Sequence, residues 1–195
     1  LAISIAHYDP EKNRQIYLPH WKSYIDLPEL VHNLHDKHFS VRLTTVLLDG
    51  FIDSASELEK LLAFVKEHRV EQLSVCPVDK PQESRDRATF DWTEQHQLKP
   101  EQKEEIKAYL QAEGHELMQL VHGAIVYDVH GQNVCLTNCL TLDPSKEEMR
   151  QLIFFPDGHL RYDWQYEGAI ILRGVDQAIR QERPTGKRRH RGLRA

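Results

Sequence analysis

Cysteine is scarce in this sequence. Among its 195 residues there are three cysteines, Cys76, Cys135 and Cys139. Three cysteines are too few for a disulfide framework, and an odd number is typical of proteins in a reducing compartment. We therefore interpret them as structural thiols and expect a cytoplasmic protein.

Long apolar segments are also absent from the sequence. Hydrophobic residues make up 40% of the chain and charged residues 28%, which is ordinary for a globular protein. No apolar run approaches the roughly 18 residues that a membrane-spanning helix needs, and no signal-type segment precedes the first strand pattern. We expect neither a membrane span nor secretion. Because the sequence opens on Leu1 directly in a strand pattern, we interpret it as a fragment of a longer protein.

The charge is distributed unevenly along the chain. The formal net charge is −5, but residues 180–195 contain seven Lys or Arg side chains and one Glu, so this tail carries +6 and the rest of the chain −11. An acidic body is a poor surface for nucleic acid, and only the basic tail weakly suggests contacts with phosphates. The tail has almost no apolar residues, and we expect it to be disordered.

Residues 1–80 alternate between strand and helix patterns. Ile3 and Ile5 alternate with Ser4, which is the period-two pattern of a strand. Asp26 and Ser54 each precede a Glu by three residues, the spacing of a capping box at a helix start. Short connections after each helix favour parallel strands joined by crossovers. The patterns predict strands over 1–7, 40–48 and 73–77 and helices over 26–38 and 54–68.

Residues 81–179 have a different character. Pro100 suits the first turn of a helix that ends at Glu113, with Gly114 as its C-cap. Short strand patterns separated by turn residues then predict β-hairpins. The predicted elements are a short helix around Phe90 and Trp92, a helix over 100–113, strands over 117–121, 124–129 and 134–142 with a turn at 130–133, and a hairpin of 151–155 with 159–164.

These patterns together predict an α/β fold. Residues 1–80 are interpreted as a partial (βα) barrel with parallel strands. Residues 81–179 are interpreted as a smaller α+β region with antiparallel hairpins, followed by the basic tail of residues 180–195. In parallel α/β folds the carboxyl ends of the strands carry the functional loops, because the strands hold those loops rigidly while their sequences vary.

One segment resembles a motif of a known family. Residues 50–57, with the sequence Gly-Phe-Ile-Asp-Ser-Ala-Ser-Glu, resemble the Gly-x-Ile-x-Gly-x-x-Glu segment after the fifth barrel strand of radical S-adenosylmethionine enzymes. Ser54 stands in place of the second glycine. The segment follows a strand pattern and opens a helix pattern, and the strands over 1–7 and 73–77 are similar to the fourth and sixth strands of that barrel. The resemblance covers about two-fifths of the chain and is moderately specific.

The resemblance implies roles for three positions. Ile52 would pack against the adenine ring of S-adenosylmethionine, and Ser4 matches a polar position that helps to hold its methionyl or ribose part. Cys76 lies at the end of the last strand, where the family reads adenine with backbone groups, and its side chain is interpreted as a buried small hydrophobe. The alternative for Ile52 is an ordinary core residue.

Two further candidates come from the residues themselves. Gly50 follows Asp49 at the end of a strand, and a glycine allows the backbone to come close to a ligand, although an ordinary turn glycine is equally consistent with the pattern. Arg42 shares a strand face with Thr44. If this face points inward, we expect Arg42 to bind a carboxylate with two hydrogen bonds. The alternative is that its side chain extends to water.

The cluster motif of this family is missing from the sequence. Radical chemistry of this kind requires three thiolates in a Cys-x3-Cys-x2-Cys loop that bind a 4Fe-4S cluster. Cys135 and Cys139 have the first spacing, but Leu142 occupies the third position. We therefore expect the cluster ligands upstream of residue 1, and we expect this chain alone to be inactive. The resemblance also implies an electron-donor protein and a small-molecule or nucleotide-like substrate as partners.

Two other functions are consistent with the sequence. The chain is a non-catalytic binding module for RNA or a protein if the half-barrel is a degenerate scaffold. It is a metal-dependent hydrolase if its histidines bind zinc, for which no standard spacing is present. The histidines considered are His32, His35 and His38 on one helix, and His115, His122, His130 and His159 with Cys135 and Cys139. Residues 162–166 are interpreted as an aromatic ladder between strands rather than a substrate pocket.

Overall fold

The computed structural model describes residues 1–78, 80, 86–120, 123–137, 152–155, 158–162 and 170–172. The chain divides into two compact units, Leu1–Pro144 and Ser145–Ala195. The boundary predicted between residues 80 and 81 stays a prediction. Each unit is described by itself. The predicted tail over 180–195 lies outside the described residues.

The first unit contains both helices and strands. Its strands are β1 (Ala2–Ile5), β2 (Arg42–Leu47), β3 (Gln72–Pro77), β4 (Gly114–Gln119), β5 (Ile125–Val129) and β6 (Gln132–Leu136). Its helices are α1 (Pro10–Tyr17), α2 (Leu27–Asp36), α3 (Ala55–Glu67), α4 (Arg87–His96) and α5 (Pro100–Glu113). No helix in the described part of the chain is long and apolar enough to cross a membrane.

Local capping fixes where the helices begin. The carboxylate of Asp26 accepts a hydrogen bond from the Glu29 backbone N–H at 2.9 Å, and the hydroxyl of Ser54 accepts one from the Glu57 N–H at 3.3 Å. Such bonds satisfy backbone donors that have no partner within the helix. The predicted starts of α2 and α3 are therefore confirmed. Helix α1 was missed, although Asp9 caps it in the same way and Pro10 occupies its first turn.

The six strands of the first unit form one mixed sheet in the order β1-β2-β3-β6-β5-β4. Strands β1, β2, β3 and β6 are parallel to one another, whereas β5 is antiparallel to β6 and β4 is antiparallel to β5. The prediction of parallel strands in the first 80 residues is confirmed. The predicted hairpin is also present, but β6 pairs directly with β3, so the hairpin extends the parallel sheet.

The turn between β5 and β6 is tighter than expected. A turn over 130–133 was predicted, yet Gln132 already pairs with Val129 in the strand ladder. His130 has a φ angle of 51° and Gly131 one of 85°. Two positive φ angles are typical of a two-residue type I′ turn, whose twist matches that of the flanking strands. The loop therefore contains His130 and Gly131 alone.

Strand β4 also begins earlier than predicted. Helix α5 ends at Glu113 as expected, but Gly114 is already the first residue of β4 and has extended backbone with φ −108°. A Cβ at Gly114 would lie 2.6 Å from the Leu110 carbonyl oxygen and 3.2 Å from the Tyr127 Cβ. Glycine is therefore required because the helix passes directly into the strand at close range.

One face of the sheet packs on the helices. Apolar residues of β1, β2, β3, β5 and β6 form one buried cluster with residues of α2, α3 and α5. Each fully buried Leu or Ile contributes roughly 1.5–3 kcal/mol relative to an exposed side chain. The cluster includes Ile5, Val31, Leu43, Leu47, Ile52, Leu58, Leu61, Val65, Leu73, Val75, Ile106, Leu110 and Val134.

The second unit contains a small antiparallel sheet. Strand β7 (Ile153–Phe154) pairs with β8 (Leu160–Arg161), which pairs with β9 (Ile170–Leu172). The predicted second hairpin is therefore confirmed where it is described. Strand β9 was not predicted. Residues 163–166 of the proposed aromatic ladder lie outside the described residues.

Candidate functional site

Small polar side chains line the sheet face opposite the helices. Ser4, Thr44, Ser74 and Cys135 are neighbours in register across β1, β2, β3 and β6. Apart from Thr45, the residues on either side of this row along each strand belong to the apolar cluster or pack against it, because side chains alternate between the two faces of a strand. We call the surface around this row the polar face. Ser4 is exposed, whereas Ser74 and Cys135 are buried.

The amino ends of the strands contribute a second row to the polar face. Arg42 is in register with Gln72, and Gln72 with Asn133. The Gln72 side-chain amide donates to the Asn133 Oδ1 at 2.7 Å. Burial raises the pKa of the Cys135 thiol, and the positive charge of Arg42 partly offsets this effect. Arg42 is exposed but close enough to act electrostatically on Cys135.

The carboxyl ends of the strands contribute a third row. Val46 is in register with Cys76, which is half-buried and has its Sγ 3.6 Å from the Pro77 carbonyl oxygen. Thr137 follows β6, and its backbone N–H donates to the Val75 carbonyl oxygen at 2.9 Å. This row is therefore composed of small side chains that are apolar or weakly polar.

The structure separates Arg42 from Gly50 and Cys76. Arg42 is the first residue of β2, while Gly50 lies beyond the opposite end of the same strand. Arg42 is in register with Gln72, and Cys76 follows Gln72 by four residues on β3. At 3.3 Å per residue, this separation along the strand is about 13 Å. Ser4 lies between these two levels. The predicted carboxylate contact of Arg42 stays a prediction, at the amino-terminal end of the face.

The loop after β2 is exposed and firmly attached. Gly50 has a φ angle of 81°, and no atom of the described part of the chain lies within 4 Å of a Cβ added to it. Its N–H donates to the Asp53 carboxylate at 2.9 Å. The neighbouring Asp49 N–H donates to the His96 carbonyl oxygen at 2.8 Å, and the Gln102 side chain donates to the Asp49 carboxylate at 2.8 Å. A ligand has room to approach the backbone of Gly50.

Ile52 lies in the hydrophobic core. None of its surface is exposed, and it belongs to the same buried cluster as Leu58 and Leu61. This placement matches the alternative that Ile52 is an ordinary core residue. Contact with a purine ring stays a prediction and requires a change of the surrounding side chains.

A cluster of charged and aromatic side chains joins the ends of β1 and β2 to α3. We call it the His7 cluster, and it consists of His7, Tyr8, Lys12, Glu57 and Lys60. The Glu57 carboxylate accepts a hydrogen bond from the Tyr8 hydroxyl at 3.0 Å and pairs with Lys60 at 2.7 Å. His7 Nε2 lies 3.4 Å from Glu57 Oε2 and 3.3 Å from Lys12 Nζ. Lys12 also donates to the Gly50 carbonyl oxygen at 3.3 Å.

Backbone contacts determine the tautomer of His7. The Asp9 N–H donates to His7 Nδ1 at 2.9 Å, so Nδ1 carries no proton in the neutral ring. Nε2 then carries the proton and lies 3.4 Å from the Glu57 carboxylate. Burial and the nearby charge of Lys12 lower the pKa of His7, although Glu57 acts in the opposite direction. The ring is 2% exposed and neutral near pH 7.

The pKa values of the other cluster members follow from the same contacts. Lys60, Tyr8 and His7 lower the pKa of Glu57, and the hydrogen bond from Lys60 is the largest cause. Burial, together with the bond to Glu57, raises the pKa of Tyr8. Glu57 is therefore ionised and Tyr8 protonated at neutral pH.

The sequence reasoning missed the His7 cluster. A histidine at the end of a strand, followed by the helix start Asp9-Pro10, was the available signal. The partners Glu57 and Lys60 are about 50 residues away in sequence, and their proximity to His7 depends on how α3 packs beside β1. Local patterns contain no information on such a contact.

Three of the histidines considered for zinc have other partners. His32 pairs with Asp36 and His35 with Glu71, while His130 pairs with Glu113. Within the described ranges, no three His, Cys, Asp or Glu side chains are grouped so that they could hold a metal ion. His122 and Cys139 lie outside those ranges.

The chain was compared with protein-family models, curated proteins and solved structures. No family model, no curated protein and no solved structure matches it.

Proposed function

We propose that this chain is the carboxy-terminal part of a radical S-adenosylmethionine enzyme, in which the polar face lines the interior of a partial (βα) barrel. The full protein would cleave S-adenosylmethionine reductively and abstract hydrogen from a substrate. The observation that carries the proposal is the division of four parallel strands into an apolar face against the helices and an opposite face whose central row consists of small polar side chains.

The two faces support a barrel interior for a physical reason. A closed parallel barrel has one face covered by helices, and large apolar side chains usually fill the other. Ser4, Thr44 and Ser74 are too small to fill such an interior, so space remains for a ligand. Hydroxyl groups also donate and accept hydrogen bonds, as recognition of a ribose or an amino-acid group requires.

Two positions near the carboxyl ends of the strands are suited to contact the ligand. Gly50 exposes its backbone in an open loop, which favours close approach by a flat or charged group. Cys76 lies at the end of β3 on the polar face, where the proposal places the adenine. Ser4, in the middle of β1, would contact the ribose or methionyl part. Arg42, at the amino ends, would take part only at the far end of the cavity.

The iron-sulfur cluster does not fit the described residues. A 4Fe-4S cluster of this kind needs three thiolates close together, and no such group is present among them. In the proposal the cluster ligands belong to another part of the protein, and an electron-donor protein and a small-molecule or nucleotide-like substrate are its partners. This chain alone is expected to bind S-adenosylmethionine without turning it over.

The first experiment is a calorimetric titration of this chain with S-adenosylmethionine. We expect binding of one molecule, weakened at least about tenfold in Ser4→Leu, because a bulky apolar side chain fills the space beside a polar group. Ser56→Leu is the matched control, since Ser56 is exposed on α3 and does not belong to a strand of the polar face. Absence of binding to the wild-type chain would contradict the proposal.

The second experiment concerns the complete gene product. We expect iron and sulfide after anaerobic purification and a Cys-x3-Cys-x2-Cys motif upstream of Leu1. Lack of that motif would remove the catalytic part of the proposal. Salt-sensitive RNA binding that disappears when residues 183–195 are deleted would favour the binding module instead.

A further inference from the structure

The His7 cluster connects a buried titratable group to the backbone of the loop between β2 and α3. We call this loop, residues 48–54, the Gly50 loop. Lys12 Nζ lies between them, 3.3 Å from His7 Nε2 and 3.3 Å from the Gly50 carbonyl oxygen. The ammonium also lies over the Phe51 ring, 5.9 Å from its centroid. Lys12 therefore touches the loop at two successive residues and reaches the histidine at the same time.

The neutral form of His7 is compatible with this arrangement. Its Nδ1 accepts from the Asp9 N–H, and its Nε2–H points to Glu57. Since Nε2 is a donor in this tautomer, it accepts nothing from Lys12. The ammonium of Lys12 therefore bonds to the Gly50 carbonyl oxygen instead.

Protonation of His7 disturbs both sides of the ring. The new proton on Nδ1 faces the Asp9 N–H, so a hydrogen bond becomes a contact between two donors. The imidazolium also lies within 3.3 Å of a second positive charge on Lys12. Other charged groups around the ring are Asp9 on one side and Glu57 on the other. Glu57 attracts the imidazolium but already binds Tyr8 and Lys60, so Lys12 is the group that can move away.

We propose that Lys12 is a positioning residue which holds the Gly50 loop at neutral pH, and that protonation of His7 displaces Lys12 and releases the loop. The relevance of this device for ligand binding rests on the proposed function, in which Gly50 contacts S-adenosylmethionine. The release of the loop itself does not depend on that function. Acidification would then lower the affinity for S-adenosylmethionine by loosening one wall of its site.

Hydrogen exchange of the full chain tests the release directly. The Gly50 N–H bonds to Asp53 and the Phe51 N–H to the Leu48 carbonyl oxygen, so both amides report on loop opening. After correction for the intrinsic effect of pH, their exchange should be about fivefold faster below the pH at which the His7 ring titrates than at about pH 7.5, as for the loss of one hydrogen bond. Exchange that is independent of pH in the wild type overturns the proposal.

Variants of Lys12 separate positioning from general stability. Lys12→Met should exchange rapidly at both pH values, whereas Lys12→Arg should restore slow exchange at the higher pH, because a guanidinium also donates to a carbonyl oxygen. Lys66→Met is the matched control, since Lys66 is exposed on α3. Slow loop exchange in Lys12→Met at the higher pH overturns the role of Lys12.

Two measurements assign the titrating group. In His7→Gln the step in exchange should disappear, while His32→Gln, a change at an exposed histidine, should keep it. If His7→Gln fails to fold, the NMR titration of the His7 ring in the wild type decides instead. A midpoint that differs from that of the exchange step overturns the proposal.

Calorimetry then distinguishes this proposal from the proposed function. The affinity of the wild type for S-adenosylmethionine should fall at the midpoint of the exchange step. If the chain does not bind S-adenosylmethionine at any pH, the proposed function is wrong, and the exchange data still decide whether the loop is released. If it binds with an affinity that is independent of pH while the loop is released, the link to binding is wrong.

Discussion

Replacement of Thr45 by valine should stabilise the protein. Thr45 is fully buried in the middle of β2, and its Oγ1 has no hydrogen-bond partner among the residues that the structure describes. A buried hydroxyl without a partner costs about 1–3 kcal/mol. Valine has nearly the same shape, adds an apolar group, and is favoured in strands. We therefore expect a gain of about 1–2 kcal/mol in the free energy of unfolding.

The neighbouring Thr44 provides the matched control. Thr44 is half-buried and lies on the polar face, while Thr45 points into the apolar cluster between Ile5 and Val75 in the sheet register. Thr44→Val should change the stability by less than about 0.5 kcal/mol, as is usual for positions in contact with solvent. The two variants together test which face of the sheet is apolar, on which the candidate site depends.

Urea unfolding of both variants measures the difference. Thr45→Val should raise the midpoint of the transition without a change in the m-value, and should raise Tm by about 2–4 °C per kcal/mol for a chain of this size. A Thr45→Val protein that is no more stable than the wild type would show that the hydroxyl has a partner. A larger gain in Thr44→Val would reverse the assignment of the two faces.

Three further predictions concern packing and charge. Gly114→Ala should destabilise the protein by about 1–3 kcal/mol, because its Cβ would lie 2.6 Å from the Leu110 carbonyl oxygen. A variant that is more stable in thermal unfolding would show that the end of α5 shifts to make room for the Cβ. Asn13→Ala should lower the free energy of unfolding by about 2–4 kcal/mol. The buried Asn13 side chain accepts from the Ala6 and His7 N–H groups and donates to the His7 carbonyl oxygen. A loss below about 1 kcal/mol in urea unfolding would contradict this prediction. Because burial lowers the pKa of His7 from 6.5, the unfolded chain binds a proton more readily than the folded protein. The contribution of His7 to the free energy of unfolding should therefore be fully present above pH 6.5. It should be lost as the pH falls towards the lowered pKa of the folded state. His7→Gln should remove this part of the pH dependence, and an unchanged slope would assign it to other groups.

Local signals predicted most of the helices and strands. Asp26, Ser54 and Pro100 lie at the starts of α2, α3 and α5 as expected, because capping and proline preferences involve residues within one turn of each other. The parallel arrangement of β1, β2 and β3 was also predicted, since a strand-helix-strand order with short connections leaves few alternatives.

The candidate site was predicted only in part. Strand parity correctly separates Ser4 from Ile3 and Ile5, because side chains alternate along a strand whatever surrounds it. The sequence pattern did not reveal that Ile52 is completely buried or that Arg42 lies at the far end of the face from Gly50. Both facts depend on how the strands align with one another and with α3.

The sequence by itself determined where α2, α3 and α5 begin and which residues of β1, β2 and β3 share a face, because these properties depend on neighbours within a few positions. Only the tertiary structure decided that β6 pairs with β3 and that Glu57 and Lys60 meet His7 at the end of β1. Such contacts join residues separated by about 50 positions or more. They form because the buried apolar surface is largest in one packing of the elements, and no local pattern encodes that choice.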